Sequence, residues 1–203
     1  MSANEILIEA CVNSVESAIG AEIGGAHRVE LCDNLHDGGT TPSVGAIDAA
    51  RTRLEIDLNV MIRPRGGDFL YSDLELDIMK ADGVAARAAG ADGVVFGILN
   101  PNGGVNVEQT RQLMELAGPM STTFHRAFDM SADPLAALED LISLGVDRIL
   151  TSGQRPSAVE GAALIERLVD SARQRIVIMP GVGIDEANLA HLIRLTGARE
   201  YHV

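Results

Sequence analysis

The chain has 203 residues, 46% of them hydrophobic and 22% charged, with a formal net charge of −13. That is the make-up of a soluble globular protein, read as one domain over 1–203 with enough chain for a sizeable core. The negative charge argues against nucleic acid or an anionic membrane as partner, since both require a basic surface.

Glu5-Ile-Leu-Ile-Glu-Ala-Cys-Val12 reads as the first strand, and Ser14 caps a helix that Gly24-Gly25 ends. Arg28 to Asp33 is the second strand. Gly38-Gly39 is loop, and Thr41-Pro42 opens a helix to about Arg53. Leu58 to Pro64 is the third strand, followed by the glycine-rich loop Arg65-Gly66-Gly67-Asp68. Ser72 caps a helix that stops at Gly90. Gly93 to Leu99 is the fourth strand, closed by the turn Asn100-Pro-Asn-Gly-Gly104, and Asn106 caps a helix to Gly118. Thr122-Thr-Phe-His-Arg-Ala-Phe-Asp129 is a fifth strand that ends in His125, Arg126 and Asp129. Asp133-Pro134 then starts a helix to Gly145. Arg148 to Gly153 is the sixth strand, with a helix from about Ser157. Arg175 to Pro180 is the seventh, with Gly181-Val-Gly183 as loop and Asp185 as cap. Tyr201-His-Val203 is the eighth.

Eight strands alternating with seven helices is the pattern of an α/β protein of the (β/α)8 TIM-type barrel, here without a C-terminal eighth helix. Gly25, Gly90, Gly145 and Gly197 stand just before strands two, four, six and eight, at intervals of 65, 55 and 52 residues. Each interval is one βαβα pair, and each glycine is expected to close its helix in left-handed geometry. A doubly wound sheet would place a Gly-x-Gly-x-x-Gly after strand one, where this chain has Asn13-Ser14. Without an eighth helix the seam of strands eight and one is either exposed or covered by a partner subunit. Ile6 and Ile8 are then a candidate face for a homo-oligomer.

Alternation assigns the faces. The helix-facing side of each strand must be apolar, so Glu9, Cys11, Glu30, Cys32, Asn59, Met61, Arg63, Thr123 and His125 face the lumen. Lumens are normally packed with branched aliphatics, so this polarity points to a ligand site. Arg63-Pro-Arg65-Gly66-Gly67 joins two guanidiniums to backbone amides that suit a phosphate or carboxylate. Ser152-Gly153 and Gly181-Val-Gly183 follow strands six and seven, where barrels often hold phosphate. Glu9-Ala-Cys11 and Glu30-Leu-Cys32 occupy matching places on adjacent strands, which brings the two thiols together. They then serve as ligands for a soft cation such as Cu(I), as a disulfide, or as small buried side chains. Lys80 is the only lysine and lies inside a helix, which argues against Schiff-base chemistry. No His-x-His or His-Glu-x-x-His is present, which argues against a closed zinc site.

At these residues the chain resembles the CutC family, named for copper homeostasis. The matching stretches are Glu30-Leu-Cys32, Gly38-Gly-Thr-Thr-Pro-Ser43, Val60 to Asp73, Thr123 to Met130 and Arg148 to Gln154. The resemblance implies a (β/α)8 barrel in a cytoplasmic, copper-linked and usually oligomeric protein, with Cys11 and Cys32 as Cu(I) ligands. Two features depart from the family pattern: Ser131 stands where members often carry Cys, and members continue past the eighth strand.

Two functions follow from the sequence. One is a cytoplasmic copper-handling protein that holds Cu(I) on Cys11 and Cys32, with no membrane span, since no apolar run approaches about 20 residues. Met1-Ser-Ala-Asn-Glu5 has no basic leader character, and a reducing compartment keeps both thiols free. The other is a barrel enzyme acting on a small anion, with Arg63 or Arg65 as anchor, His125 as general acid/base and Glu9 or Glu30 as its partner.

Overall fold

The computed structural model describes residues 6–203, and the first, second, third and fifth strands carry the alternation read above. The strands are β1 (Leu7–Val12), β2 (Arg28–Leu31), β3 (Asp57–Met61), β4 (Gly93–Phe96), β5 (Ser121–Phe124), β6 (Arg148–Thr151), β7 (Val177–Pro180) and β8 (Glu200–His202). The helices are α1 (Val15–Ile23), α2 (Val44–Arg51), α3 (Asp73–Ala88), α4 (Val107–Ala117), α5 (Pro134–Leu144), α6 (Ala162–Ala172) and α7 (Leu189–Thr196). Short 3-10 turns at Leu35–Asp37 and Arg126–Met130 follow β2 and β5. Glu5 and the four residues before it lie outside the described residues.

All ladders are parallel, in the order β7-β6-β5-β4-β3-β2-β1-β8. β1 pairs with β8 through Leu7–Glu200, Ile8–Tyr201 and Glu9–His202. The ring is completed by a single parallel bridge between Gly181 and His202. This is the (β/α)8 barrel, and the seam expected at strands eight and one lies between β7 and β8 instead. Ile6 and Ile8, on the outer face of β1, are half-buried and pack against the core on the β5–β8 side.

Local chemistry explains most helix starts. Ser14 Oγ accepts the Ser17 N–H, and Ser72 and Glu75 form a reciprocal capping box at α3. Asn106 caps α4, and Asp133 with Pro134 opens α5. Gly25, Gly90, Gly145 and Gly197 all have left-handed φ, between 65° and 91°, as the repeat requires.

Three starts fall later than the sequence reading. Thr41 is bonded to both the N–H and C=O of Arg63, so Ser43 caps α2. α6 begins after Gly161, which is pressed against the Ser152–Gly153 backbone where a Cβ on either glycine would collide; Ser157 instead closes a turn onto Glu160. Asp185 accepts the Ala187 and Asn188 N–H groups in a turn, and α7 starts at Leu189.

The aliphatic core lies between sheet and helices in two clusters. Val29, Leu31, Ile47, Leu58, Val60, Met79 and Phe96 belong to one, and Phe124, Leu138, Leu141, Ile149, Ile165 and Tyr201 to the other. These outward positions confirm the face assignment, and the lumen holds the polar residues together with a small cluster of Cys11, Cys32, Met61 and Val95.

Candidate functional site

The lumen is layered. At its centre the Glu9 carboxylate receives the Arg28 Nε–H in a short bond, the Asn59 amide at 2.9 Å and the His202 Nδ1–H at 2.9 Å. Glu200 accepts from Arg28 at 2.7 Å and from Arg148 at 2.9 Å, and Arg148 reaches Thr123. Three carboxyl side chains, Glu9, Glu30 and Glu200, thus face Arg28, Arg148 and His202, all buried. Buried charges persist when paired in this way. Burial works to raise the pKa of Glu9, but His202 and Arg28 outweigh it and hold it at about 2. Burial opposes charge on His202 as well; Glu30 and Glu9 overcome it and raise its pKa well above the usual value. Glu30 is raised by burial and by Glu9, against the attraction of His202.

One layer higher lie the sulfurs. Cys11 Sγ is 3.8 Å from Cys32 Sγ, and the Cys11 thiol donates to Glu30 Oε2 at 3.4 Å. Both cysteines are free, and Cys32 donates to the Val12 carbonyl at 3.6 Å. The Glu-x-Cys pairs do not occupy matching places: Cys11 is opposite Glu30, and Glu9 is opposite Arg28. The barrel's shear staggers β1 and β2 by two residues, and the thiols meet on the diagonal. Contact with Cys32, then burial and Glu30, push the Cys11 pKa far up, so it is a thiol at rest. The compensating cations for this acidic floor are His202 and Arg28.

Ligand atoms of Cys11, Glu30 and Cys32 all lie within 4.8 Å of one another, as do those of Glu9, Glu30 and His202. With thiolate–metal bonds of about 2.3 Å, two sulfurs on one ion can be up to about 4.6 Å apart. The observed separation fits one soft ion. Neither set is the closed tetrahedral array of a structural zinc site.

A cavity of about 350 Å³ opens above the thiols at the carboxyl ends of the strands, lined by Cys11, Glu30, His202, Met61, Arg63, Phe69, His125 and Arg126 among others. A larger hollow, about 680 Å³, lies outside the barrel beside Glu139 and Arg175, which pair with each other.

The remaining expected site residues divide. Arg63 reaches the cavity with Nη1 bound to the Asp37 and Gly39 carbonyls and Nη2 to the Gly67 carbonyl. Arg65 points the other way, to Glu75 at 2.5 Å and Asp68 at 3.1 Å, with its guanidinium over Tyr71, so it is not brought to the lumen. Gly66 is pressed against Asp37, and Gly67 lines the cavity. Ser152 and Gly153 form a loop closed on itself. The Asp129 carboxylate takes the Ser152 and Gln154 N–H groups and the Thr151 and Ser152 hydroxyls, with Arg126 beside it, as a bound anion would. The Gly181 N–H goes to the Thr151 carbonyl, and Gly183 is exposed beside Val182, whose φ of 78° is costly for a β-branched residue. His125 is buried at the cavity wall, where Gly97 makes room for it: a Cβ there would lie 2.5 Å from Nδ1.

Sequence reasoning missed Arg28, Arg148, Glu200 and His202. The signal was the same alternation. Tyr201 packs outward, so Glu200 and His202 point inward; Ile149 outward places Arg148 inward.

Fold and site together define a TIM-type barrel protein with a charge-compensated lumen and a thiol pair below the carboxyl ends of the strands. The chain belongs to the CutC family, whose match covers residues 6–203. It is 53% identical over 201 residues to the human copper homeostasis protein cutC homolog, covering 99% of this chain and 74% of the relative. It is 55% identical over 196 residues to a CutC family protein of Chromobacterium violaceum, covering 97% and 79%. The crystal structure of a CutC protein from Streptococcus agalactiae superposes with a TM-score of 0.93 at 38% identity, over 97% of both chains. An aldolase structure, QR15, shares the barrel alone, with a TM-score of 0.73 at 16% identity over 100% of this chain and 91% of that one.

Proposed function

We propose that this barrel handles copper in the cytoplasm by holding one Cu(I) ion between Cys11 and Cys32. The observation that carries the reading is the 3.8 Å separation of two free sulfurs that meet below a cavity at the strand ends. Soft thiolates favour Cu(I) over hard divalent cations. A reducing compartment keeps the sulfurs reduced. The relatives named for copper homeostasis support the same reading. Glu30 accepts the Cys11 S–H, so an ion arriving at the sulfur displaces that proton, and affinity rises with pH. His202, 3.6 Å from Glu30 and beside Cys11, balances the carboxylate charge beside the ion.

The test is anaerobic titration with Cu(I) against a competing chelator, on the parent, Cys11→Ser, Cys32→Ser and the double variant. The parent is expected to bind about one ion per chain, and each single variant to lose at least about tenfold in affinity, roughly 1.4 kcal/mol. Parent-like affinity in the double variant would show that the thiols only pack the lumen.

A further inference from the structure

The cavity wall carries a second chemistry that the sulfurs do not use. His125 is 4% exposed, and its Nδ1 accepts the Ala127 N–H at 3.1 Å. In a neutral imidazole this puts the proton on Nε2. Burial, then the nearby Arg63 charge, hold the His125 pKa down to about 3, so the ring is neutral near pH 7 and Nε2–H is a donor. That donor has no acceptor among the described residues.

Arg63 is 3% exposed, and it shows the same incompleteness. Its Nη atoms bond to neutral backbone carbonyls, the neutral Tyr71 hydroxyl lies beside its guanidinium, and its Nε has no acceptor in hydrogen-bond geometry among the described residues. No carboxylate among the described residues forms an ion pair with it, which is unusual for a buried guanidinium. Arg63 and His125 pack against one ring: the Arg63 Cζ is 5.0 Å from the centroid of Phe69, and the His125 ring is 5.0 Å from it. All three line the same cavity.

We propose that this cavity binds a small organic monocarboxylate. Its carboxylate docks beside Arg63 and His125, whose Nε and Nε2 donors are covered in this structure and are reached by a turn of the two side chains, and its hydrocarbon part lies against Phe69, Met61 and Leu150. One buried cation without a carboxylate partner among the described residues calls for one negative charge. A phosphate dianion fits less well. The amide nest after β6 is filled by Asp129, and Glu30 and Asp37 line the same cavity, where a second ligand charge would be repelled. The site requires neither sulfur, so it stands or falls independently of copper binding. It also gives His125 a role other than acid/base catalysis: a neutral hydrogen-bond donor.

The experiment uses the full chain labelled with ¹⁵N-histidine, titrated with acetate and with pyruvate at constant ionic strength, with inorganic phosphate as comparison. The His125 Nε2–H resonance is expected to move saturably with a carboxylate at millimolar concentration. His125→Phe should bind the same probe about tenfold more weakly, and His125→Gln, which keeps an N–H donor, should recover part of the loss. The parent titration decides the matter alone if His125→Phe does not fold. No saturable shift with either carboxylate would overturn the proposal. Equal affinity in parent and His125→Phe, or phosphate binding as tightly as the carboxylates, would overturn it too.

Discussion

His125 shows how one side chain's chemistry is set by its neighbours. Its place at the end of β5 was readable from alternation, and the position suggested a general acid/base. The Ala127 amide on Nδ1 and the burial of the ring turn it into a neutral donor. The pH consequence has a definite sign. The folded pKa is held near 3, below the 6.5 of an unfolded histidine, so the unfolded chain binds the extra proton between these values. Stability from this group is complete above pH 6.5 and is lost as pH falls toward 3, at up to about 1.4 kcal/mol per pH unit. Urea unfolding at pH 7 and pH 5 should show a larger loss for the parent than for His125→Phe. Equal losses would mean the imidazole accepts its proton without leaving the fold.

At the level of elements, caps and turns were legible because they are local. Ser14, Ser72, Asn106 and Asp133 act on amides two or three residues away. The stagger between β1 and β2 was not legible, because shear belongs to the closed ring and not to either strand. That stagger places Arg28 opposite Glu9, where it joins β1, β2 and β8 through Glu9 and Glu200. Arg28→Met leaves both carboxylates short of a partner and should cost about 3 kcal/mol, since breaking a buried pair exposes an unpaired charge. Arg148 and His202 remain to blunt the loss. Adding Glu9→Gln should recover part of it, measured as urea midpoints in a double-mutant cycle. A double variant whose loss equals the sum of the two single losses would mean that Glu9 and Arg28 are not a coupled pair.

Across the whole molecule, the barrel closes through one bridge between β7 and β8, and Ile6 and Ile8 stay half-buried on the outer face of β1. Apolar surface beside a lightly tied seam is the kind that a second copy covers. Light scattering should therefore give a mass above the 21.4 kDa of one chain, and a monomer stable across dilution would exclude self-association through this face. No helix among the described residues is long and apolar enough to cross a membrane.

The sequence by itself determined the strand–helix alternation, the outward aliphatic faces and the inward placement of Glu9, Cys11, Glu30, Cys32, Arg63 and His125. These follow from periodicities of two and 3.6 residues, which any stretch of chain carries within itself. Only the tertiary structure decided which inward groups touch. Glu200 and His202 are nearly two hundred residues from Glu9 along the chain, yet β8 lies beside β1, and so His202 balances the acidic floor beneath the thiols. Arg65 and the glycine loop after β6 looked equally suited to an anion in the sequence. In the fold, Glu75 and Asp129 reach them first, because an internal carboxylate is already close by and a ligand must be brought from solution.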